Sequence, residues 1–420
     1  MPGLSKTHTK GEDVLMQGGL SDLKIVEFGN FISAAFCAKL MGDLGAEVVK
    51  VEQPGTGDEA RSHGPFYKDI PDPETSGLFL YLNTNKLSVT LNVGTATGKK
   101  ILLELLKQAD IFVENNPPRV MEDLGLTYDV VKEVNPRLIM ASITYFGYEG
   151  PYRDWQGTDL VAQSIGGVAF GTPITVDDPQ TRPPLRGGGN QAEFTAGAAA
   201  ASATMAAVFH RMMTGEGQHV DMSVFEVMAA LMRPATAGYF YGEPPRIDRG
   251  TAGRAPLNPS IYETTDGYAS FGTATDEHWR NLVEAMERPE WALNSLFDTR
   301  QGREEFGDAI KPLIVEWAKG FTKKELYTLL QKHHVPCFPV NRADEVLNSE
   351  HLQDRGFFVE VDHPKTGVVK YPGYSARYSR DIWSIRSPAP LLGQHNEEVY
   401  VNRLGYSKEE LVQLRQAGII

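Results

Sequence analysis

A single carboxylate, Glu193, stands between a run of three glycines and a long stretch of small residues. Gly187, Gly188 and Gly189 precede it, and consecutive glycines mark backbone that takes positive φ angles or that another group approaches closely. Residues 196–207 are Ala, Gly, Ser, Thr and Met, a composition typical of a buried, closely packed helix. The pattern therefore places Glu193 in the first turn of a helix, where free N–H groups and the helix dipole stabilise a negative charge.

A carboxylate in such a position can act as a nucleophile toward a thioester. The residues also allow a second interpretation, in which Glu193 is an ordinary acidic residue at a helix N-terminus. Metal chemistry is not expected, because His333, His334 and His395 have no further ligand cluster at a useful spacing.

The bulk composition limits the possible partners. The chain has 420 residues, of which 41% are apolar and 23% charged, so two or more soluble domains are expected. A formal charge of -13 argues against a nucleic-acid or anionic-membrane partner. The two cysteines, Cys37 and Cys337, and a polar N-terminus predict a cytoplasmic protein, and residues 196–208 are too few and too rich in small residues to span a bilayer.

Hydrophobic patterning predicts an α/β fold. Strands are expected at residues 23–28, 47–52, 88–93, 111–114, 138–143 and 219–224. Helices are expected between them, at 34–44, 97–108 and 196–213. Alternating strands and helices indicate a parallel sheet. The first strand–helix turn has no G-x-G-x-x-G motif, which argues against dinucleotide binding.

Other segments define the expected domain organisation. Residues 1–20 form a polar tail, and residues 61–77 are polar enough to be expected on the surface. Residues 234–259, dense in Pro, Gly and Arg, indicate a linker or ligand loop. Residues 245–335 are assigned to a smaller second domain, with a hairpin pattern at 262–271.

From about residue 20 to the C-terminus, the chain resembles the family III CoA-transferases, typified by formyl-CoA and carnitine CoA-transferases. One matching motif is Thr214-Gly215-Glu216-Gly217-Gln218. In order along the chain, the matching segments are residues 47–58, 109–115, 124–126, 135–139, 146–151, 214–221 and 390–395. A series of ordered motifs is far more specific than any one of them.

The resemblance implies both a fold and a reaction. The fold is a Rossmann-like large domain built from residues 21–235 and 340–420, with a smaller α+β domain between them, in an interlocked dimer. Relatives move CoA between carboxylic acids through an active-site aspartate. That aspartate attacks the acyl thioester, giving an anhydride and then an enzyme–CoA thioester. Main-chain N–H groups of glycine loops stabilise the oxyanions.

The resemblance also assigns residues. Glu193 takes the place of the catalytic aspartate, with the carboxylate one methylene further from the backbone. Residues expected to bind CoA, which enters as the acyl-CoA substrate, are Ile32, Ser33, Gln53, Leu91, Asn115, Asn116, Arg119 and Asp159. For Asp159 a structural or ligand-orienting role is expected rather than catalysis. Tyr145, Phe146 and Tyr148 are candidates to stack on adenine or an aromatic acid, or simply to pack.

Departures from the family pattern leave alternatives open. Relatives carry basic or polar groups for CoA at the positions of Gln53, Gly94, Asp123 and Gln156. The chain is therefore either a homodimeric transferase acting on an organic acid, aliphatic or aromatic, or the non-catalytic partner in a heteromeric enzyme with a related subunit. An acyl-CoA racemase is a further alternative, but relatives of that type carry a histidine where Thr158 stands.

Overall fold

The computed structural model describes residues 18–173, 181–242 and 260–420. The chain forms two compact units. The first takes residues up to 172, then 184–245 and 356–420, and the second takes 173–183 and 246–355. The first unit is thus assembled from segments that lie far apart in the sequence.

A six-stranded parallel sheet forms the centre of the first unit. Its strands are β1 (Lys24–Phe28), β2 (Glu47–Glu52), β3 (Lys86–Thr90), β4 (Ile111–Glu114), β5 (Ile139–Thr144) and β6 (His219–Ser223). They lie in the order β3-β2-β1-β4-β5-β6, and every neighbouring pair is parallel. The predicted α/β class with a parallel sheet is confirmed. The strand order reverses between β1 and β4, and ligands of such sheets bind where that reversal opens a crevice.

Helices cover both faces of this sheet. They are α1 (Ser33–Asp43), α2 (Gly77–Leu82), α3 (Ala96–Lys107), α4 (Pro118–Leu124), α5 (Tyr128–Val134), α6 (Asp159–Ile165), α7 (Gln191–Thr214), α8 (Val224–Leu231) and α9 (Arg233–Phe240). One hydrophobic core joins α1 and α7 to the sheet, and a second joins α3 to the opposite face. Helices on both faces are typical of parallel sheets.

Helix α7 is the long helix of small residues expected after the glycine run. It begins at Gln191 and ends at Thr214, where Gly215 takes a positive φ of 82°. It packs closely on α1: a Cβ atom added at Gly197 would lie 2.7 Å from the Ser33 carbonyl oxygen. Helix α7 is long and apolar enough to cross a membrane. Half of the residues in its most apolar stretch are, however, buried inside the protein. That burial is typical of the central helix of a globular unit.

The second unit combines a small sheet with helices. The strands β7 (Ser260–Thr264), β8 (Gly267–Phe271) and β9 (Cys337–Pro339) form an antiparallel sheet in that order. The helices are α10 (Asp276–Ala285), α11 (Arg300–Glu305), α12 (Gly307–Ala318), α13 (Lys323–Lys332), α14 (Ala343–Leu347) and α15 (Glu350–Asp354). They enclose a core around Trp279. The pairing of β7 with β8 confirms the predicted hairpin.

The C-terminal segment belongs to the first unit. It contains a hairpin of β10 (Phe358–His363) and β11 (Gly367–Pro372), and the last helix, α16 (Lys408–Gln416). Asn396 accepts a hydrogen bond from the Thr90 backbone N–H at 2.8 Å, and the Tyr400 hydroxyl donates to the Thr90 carbonyl at 2.9 Å. These bonds tie the C-terminal segment to β3.

Two loop predictions hold only in part; residues 61–77 lie mostly on the surface, as predicted, apart from Arg61, Thr75 and Ser76. Helix α9 (Arg233–Phe240) occupies the start of the segment read as a linker or ligand loop, because Pro234 falls in its first turn, where a missing N–H costs nothing. The rest of that segment, from 243 to 259, lies outside the described residues. Arg61, expected on the surface, is only 1% exposed. Its guanidinium binds the Glu52 carboxylate and lies 3.6 Å from the centre of the Phe79 ring.

Candidate active site

The carboxyl ends of β1 and β4 converge on one asparagine. Asn115, the residue after β4, accepts a hydrogen bond from the Asn30 backbone N–H at 2.8 Å. Its amide nitrogen donates to the Asn30 carbonyl at 2.7 Å and to the Ser33 hydroxyl at 3.0 Å. Asn115 therefore fixes the turn that leads from β1 into the N-terminus of α1.

Glu193 lies beside this turn. It is in the first turn of α7, as the sequence predicts, and is 6% exposed. The Tyr145 hydroxyl donates to its Oε1 atom at 2.6 Å. The Ser33 backbone N–H, at the start of α1, also hydrogen bonds its carboxylate. The carboxylate is thus held at the N-terminal ends of two helices, both of which favour negative charge.

The electrostatic surroundings of Glu193 are unusual for a buried acid. Burial raises its pKa, and the negative charges of Asp159 and Glu59 act in the same direction. The hydrogen bonds from Tyr145 and Ser33 oppose this effect without cancelling it. Among the residues that the structure describes, no Lys or Arg forms an ion pair with Glu193. The site therefore holds a carboxylate whose basicity exceeds that of an ordinary glutamate.

Tyr145 is fixed by the close approach of a glycine. A Cβ atom added at Gly157 would lie 2.1 Å from the Tyr145 ring, so a side chain there would displace the ring. Burial and the charge of Glu193 raise the pKa of the Tyr145 phenol, which therefore stays protonated and remains a donor. In this structure Tyr145 acts through its hydroxyl on Glu193, a role that its position in a loop did not indicate.

Asp159 positions the start of α7. It is 5% exposed, and its Oδ1 atom accepts a hydrogen bond from the Ala192 backbone N–H at 2.8 Å. Its Oδ2 atom accepts from the Gln163 amide at 2.7 Å. Because Ala192 precedes Glu193, these bonds fix the backbone that carries the carboxylate. The geometry gives Asp159 an orienting position.

These residues surround one cavity of about 470 Å³. Of the residues predicted from the sequence, it brings together Glu193, Ser33, Asn115, Asn116, Asp159 and Tyr145. The others that line it are Asn30, Phe31, Glu59, Pro117, Ile143, Gly157, Thr158, Arg186, Asn190 and Val224. Sequence reasoning missed the site roles of Asn30, Glu59, Arg186 and Asn190. Of these, only Arg186 and Asn190 could have been suspected from the sequence, because they lie in the stretch that leads to Glu193.

Four predicted CoA-binding residues do not line this cavity. The side chains of Ile32 and Leu91 are buried in hydrophobic cores, at 0% and 1% exposure. In this conformation only their backbones can meet a ligand. Gln53 and Arg119 are exposed, each just beyond the carboxyl end of a strand, β2 and β4 respectively. The CoA-binding roles of all four stay predictions.

A second buried carboxylate lies behind the site. Glu114, at the end of β4, accepts hydrogen bonds from the Asn116 backbone N–H at 2.7 Å and from the Tyr148 hydroxyl at 2.9 Å. Burial raises the pKa of Glu114, and hydrogen bonds, including one from Ser142, oppose the rise only in part. Tyr148 also stands edge-on to His219. Glu114 thereby holds Asn116, which faces the cavity.

On the other side of β1, buried acids are paired with buried bases. Lys50 contacts Glu27 and Asp58, each at 2.6 Å, and Lys86 contacts Glu27 at 2.7 Å. Arg61 binds Glu52 through Nε at 2.7 Å and through Nη2 at 3.0 Å. Burial raises the pKa of Glu27, but the charges of Lys50 and Lys86 outweigh it and hold that pKa below its usual value. A further hydrogen bond joins Asp58 to the Phe31 backbone N–H, at 3.0 Å, in the wall of the cavity.

Comparisons with known proteins agree with this fold. Residues 20–396 match the model of CoA-transferase family III. The chain is 31% identical to the succinyl-CoA:glutarate CoA-transferase of Homo sapiens, over 96% of this chain and 90% of that protein. It is 30% identical to the succinyl-CoA–L-malate CoA-transferase beta subunit of Chloroflexus aurantiacus, over 96% of this chain and 98% of that protein. A CAIB/BAIF family protein from Brucella suis has a similar structure, with a TM-score of 0.79, 28% identity, and coverage of 92% of this chain and 99% of that chain.

The family match covers nearly the whole chain, and the chain therefore belongs to CoA-transferase family III. Members of this family exchange CoA between acyl-CoA thioesters and carboxylic acids, so CoA reaches the protein as part of a substrate.

Proposed function

We propose that this chain transfers CoA from an acyl-CoA to a small organic acid with Glu193 as the nucleophile. The observation that carries the proposal is the environment of that carboxylate. It is buried, borders the cavity, and is held by the Tyr145 hydroxyl and the Ser33 N–H rather than by a cation. A carboxylate held by neutral donors keeps its basicity and is available to attack a carbonyl carbon.

The proposed reaction has two symmetrical halves. A Glu193 oxygen attacks the thioester carbonyl, the C–S bond breaks, and CoA thiolate leaves behind an acyl-glutamyl anhydride. The thiolate then attacks the Glu193 carbonyl, which releases the donor acid and forms a glutamyl–CoA thioester. The acceptor carboxylate attacks this thioester, and the thiolate released attacks the acceptor acyl carbon of the new anhydride. Glu193 is restored, and no net proton is consumed.

Neutral donors around Glu193 support this sequence. The Ser33 backbone N–H, at the start of α1, and the Tyr145 hydroxyl bind the carboxylate in the resting state. The same donors are placed to stabilise the oxyanion that forms on the Glu193 carbonyl when the thiolate attacks it. Asn115 adds rigidity, because it bonds both Asn30 and Ser33.

Trapping of the covalent intermediate tests the proposal. The purified chain is incubated with succinyl-CoA, the donor named in several relatives, then treated with hydroxylamine, and its peptides are analysed by mass spectrometry. Conversion of Glu193 to a hydroxamate is expected. Glu193→Gln should show no such product, whereas Glu59→Gln, which removes another carboxylate of the same cavity, should still form it. Turnover without modification at Glu193 would refute the proposed nucleophile.

A second candidate is the role of partner subunit in a heteromeric transferase. It is favoured by the similarity to a protein named as a beta subunit and by a glutamate where the family pattern has an aspartate. Purification from the native cell, with the mass and composition of the complex measured, separates this role from a homodimer. Activity of the chain alone at full rate would exclude the subunit role. The interlocked dimer and the cytoplasmic location are part of the same proposal.

Two narrower alternatives receive less support. Racemisation would need two acid–base groups on opposite faces of the α-carbon, yet the Thr158 hydroxyl caps α6 by accepting from the Val161 N–H. For an aromatic acid, the aromatic side chains in the cavity lining are Phe31, whose ring already packs against His63, and Tyr145, whose hydroxyl is bound to Glu193. We therefore propose neither as the main activity.

A further inference from the structure

The cavity around Glu193 contains one cation among residues of opposite charge. Its lining includes the carboxylates of Glu59, Asp159 and Glu193, and Arg186 is the only Lys or Arg among the described residues that line it. The whole chain is also acidic, with a formal charge of -13. Among the described side chains that line this cavity, the Arg186 guanidinium is therefore the one charged group that attracts an anionic substrate group.

Among the described residues, the Arg186 guanidinium donates no hydrogen bond of ordinary length. Its ion-pair partner there is Asp159, whose Oδ2 atom lies 3.6 Å from Nη1, beyond ordinary hydrogen-bond distance. Both Asp159 oxygens already accept shorter bonds, from the Ala192 N–H and from the Gln163 amide. The Arg186 side chain is half exposed toward the cavity. A planar fork of free N–H groups matches a carboxylate in a bidentate arrangement.

The backbone that carries Arg186 is anchored by a buried amide. Gln163, 1% exposed, accepts a hydrogen bond from the Gly187 N–H at 2.7 Å and donates to the Gly187 carbonyl at 3.2 Å. The same Gln163 amide donates to Asp159, which in turn fixes the residue before Glu193. One side-chain network thus holds both the guanidinium and the nucleophilic carboxylate, which is the preorganisation that a specificity residue needs.

Resting on the function proposed above, we propose that Arg186 binds the distal carboxylate of a dicarboxylic acid whose other carboxylate reacts at Glu193. The alternative anion is a phosphate of CoA. In CoA, however, the phosphates lie at the far end of the pantetheine arm from the reacting thioester. Arg186 shares one cavity with Glu193, so its partner is an anionic group close to the reacting carbonyl.

A pair of nearly isosteric acceptors tests this inference. Glutarate and glutaramate have the same shape, but the second carries a neutral amide in place of the distal carboxylate. With succinyl-CoA as the common donor, kcat/KM for each acceptor is measured in the wild-type chain, in Arg186→Met and in Arg186→Lys. We expect the wild type to prefer glutarate at least tenfold, roughly, because a charge-assisted bidentate contact is lost with the amide.

Arg186→Met is expected to lower kcat/KM for glutarate by about 10²-fold and to abolish the preference, because it removes the charged hydrogen bonds. Arg186→Lys should retain part of the preference, since it keeps the charge and loses the fork. As a matched control, Arg153→Met removes a cation that pairs with Glu122 and does not line the cavity, and should leave the preference unchanged. The ratio of the two acceptors within one variant does not depend on the fraction of folded enzyme.

Opposite results would overturn the inference. If the ratio between glutarate and glutaramate in Arg186→Met stays at its wild-type value, Arg186 does not bind the distal carboxylate of the acceptor. If the wild type does not distinguish the two acids, no residue of the cavity recognises the distal carboxylate. Failure of the proposed function has a separate signature, which is absence of the Glu193 hydroxamate with any acceptor present.

Discussion

The buried carboxylates on the two sides of strand β1 differ in their partners. On the side of β2 and β3, Glu27 and Glu52 are paired with Lys50, Lys86 and Arg61, and the pKa of each acid is lowered because the cations outweigh the effect of burial. On the side of β4 and α7, Glu114 and Glu193 are bonded by hydroxyl, amide and N–H donors.

The pKa values of Glu114 and Glu193 are raised by burial, which no cation among the described residues offsets by a direct ion pair. The two halves of one sheet therefore use the same residue type for different purposes. The paired acids stabilise the fold. Of the unpaired acids, Glu193 provides a basic carboxylate at the cavity, and Glu114 holds Asn116 beside it. The comparison yields four predictions.

The largest expected effect is on catalysis. Glu193→Gln keeps the shape of the side chain but removes the nucleophile, so we expect transferase activity to fall by about 10³-fold or more. Activity would be measured by the appearance of the new acyl-CoA. Glu59→Gln, a change of the same kind in the same cavity, should retain most of the activity. Equal losses in the two variants would contradict a special role for Glu193.

The largest expected effect on stability falls on the paired side. Lys50→Met leaves Glu27 without one of its two cations and Asp58 without its cation, all at 0% side-chain exposure, and should lower the free energy of unfolding by about 3–5 kcal/mol. Denaturant unfolding measures the change. Arg300→Met, which breaks an exposed pair with Glu304, is the control and should leave the midpoint nearly unchanged. If Lys50→Met changes the free energy of unfolding only slightly, these buried ion pairs do not stabilise the fold.

A smaller effect is expected from the donor that holds the nucleophile. Tyr145→Phe removes the hydrogen bond that lowers the Glu193 pKa, so that pKa should rise further. We expect activity to fall by about tenfold at neutral pH, and the acid limb of the kcat/KM profile to move to higher pH. Tyr148→Phe loses a matching hydroxyl on Glu114 and should leave the acid limb in place. If the acid limb of the profile does not move in Tyr145→Phe, this hydroxyl does not control the Glu193 pKa.

The smallest expected effect concerns stability against pH. Because the folded-state pKa of Glu193 lies above the unfolded value near 4.5, the folded state binds more protons between these two values, and stability falls as pH rises through that window. Glu193→Gln should therefore be more stable than the wild type at neutral pH, and the difference should vanish below about pH 4.5. Thermal unfolding at several pH values measures it. For Glu52→Gln, on the paired side, destabilisation at neutral pH is expected instead.

Much of the fold followed from local patterns. Apolar runs of four to six residues between helical segments marked all six strands of the central sheet, with ends within two or three residues of the observed ones. The small-residue run and the glycines before it located α7 and put Glu193 in its first turn. These features depend on the neighbours of a residue in the chain, and local physical chemistry is sufficient to predict them.

The failures share a different cause. Arg61 looked like a surface residue until Glu52 and Phe79, from other elements, enclosed it. Tyr145 looked like a packing or stacking residue, because nothing near it in sequence shows that its hydroxyl meets a carboxylate 48 positions later. Pro234 opens a segment that its Pro, Gly and Arg content marked as a loop, although a proline in the first turn of α9 costs no hydrogen bond.

The sequence alone determined the order of strands and helices, the family pattern, and the position of one carboxylate at the start of a helix of small residues. Only the tertiary structure decided which buried acids have a cation beside them and which do not. That distinction depends on strand order and on side chains brought together from distant segments, and it sets each pKa because burial and pairing act on a charge through space. The same packing places Arg186 in the cavity of Glu193, where a second carboxylate of the substrate can be recognised.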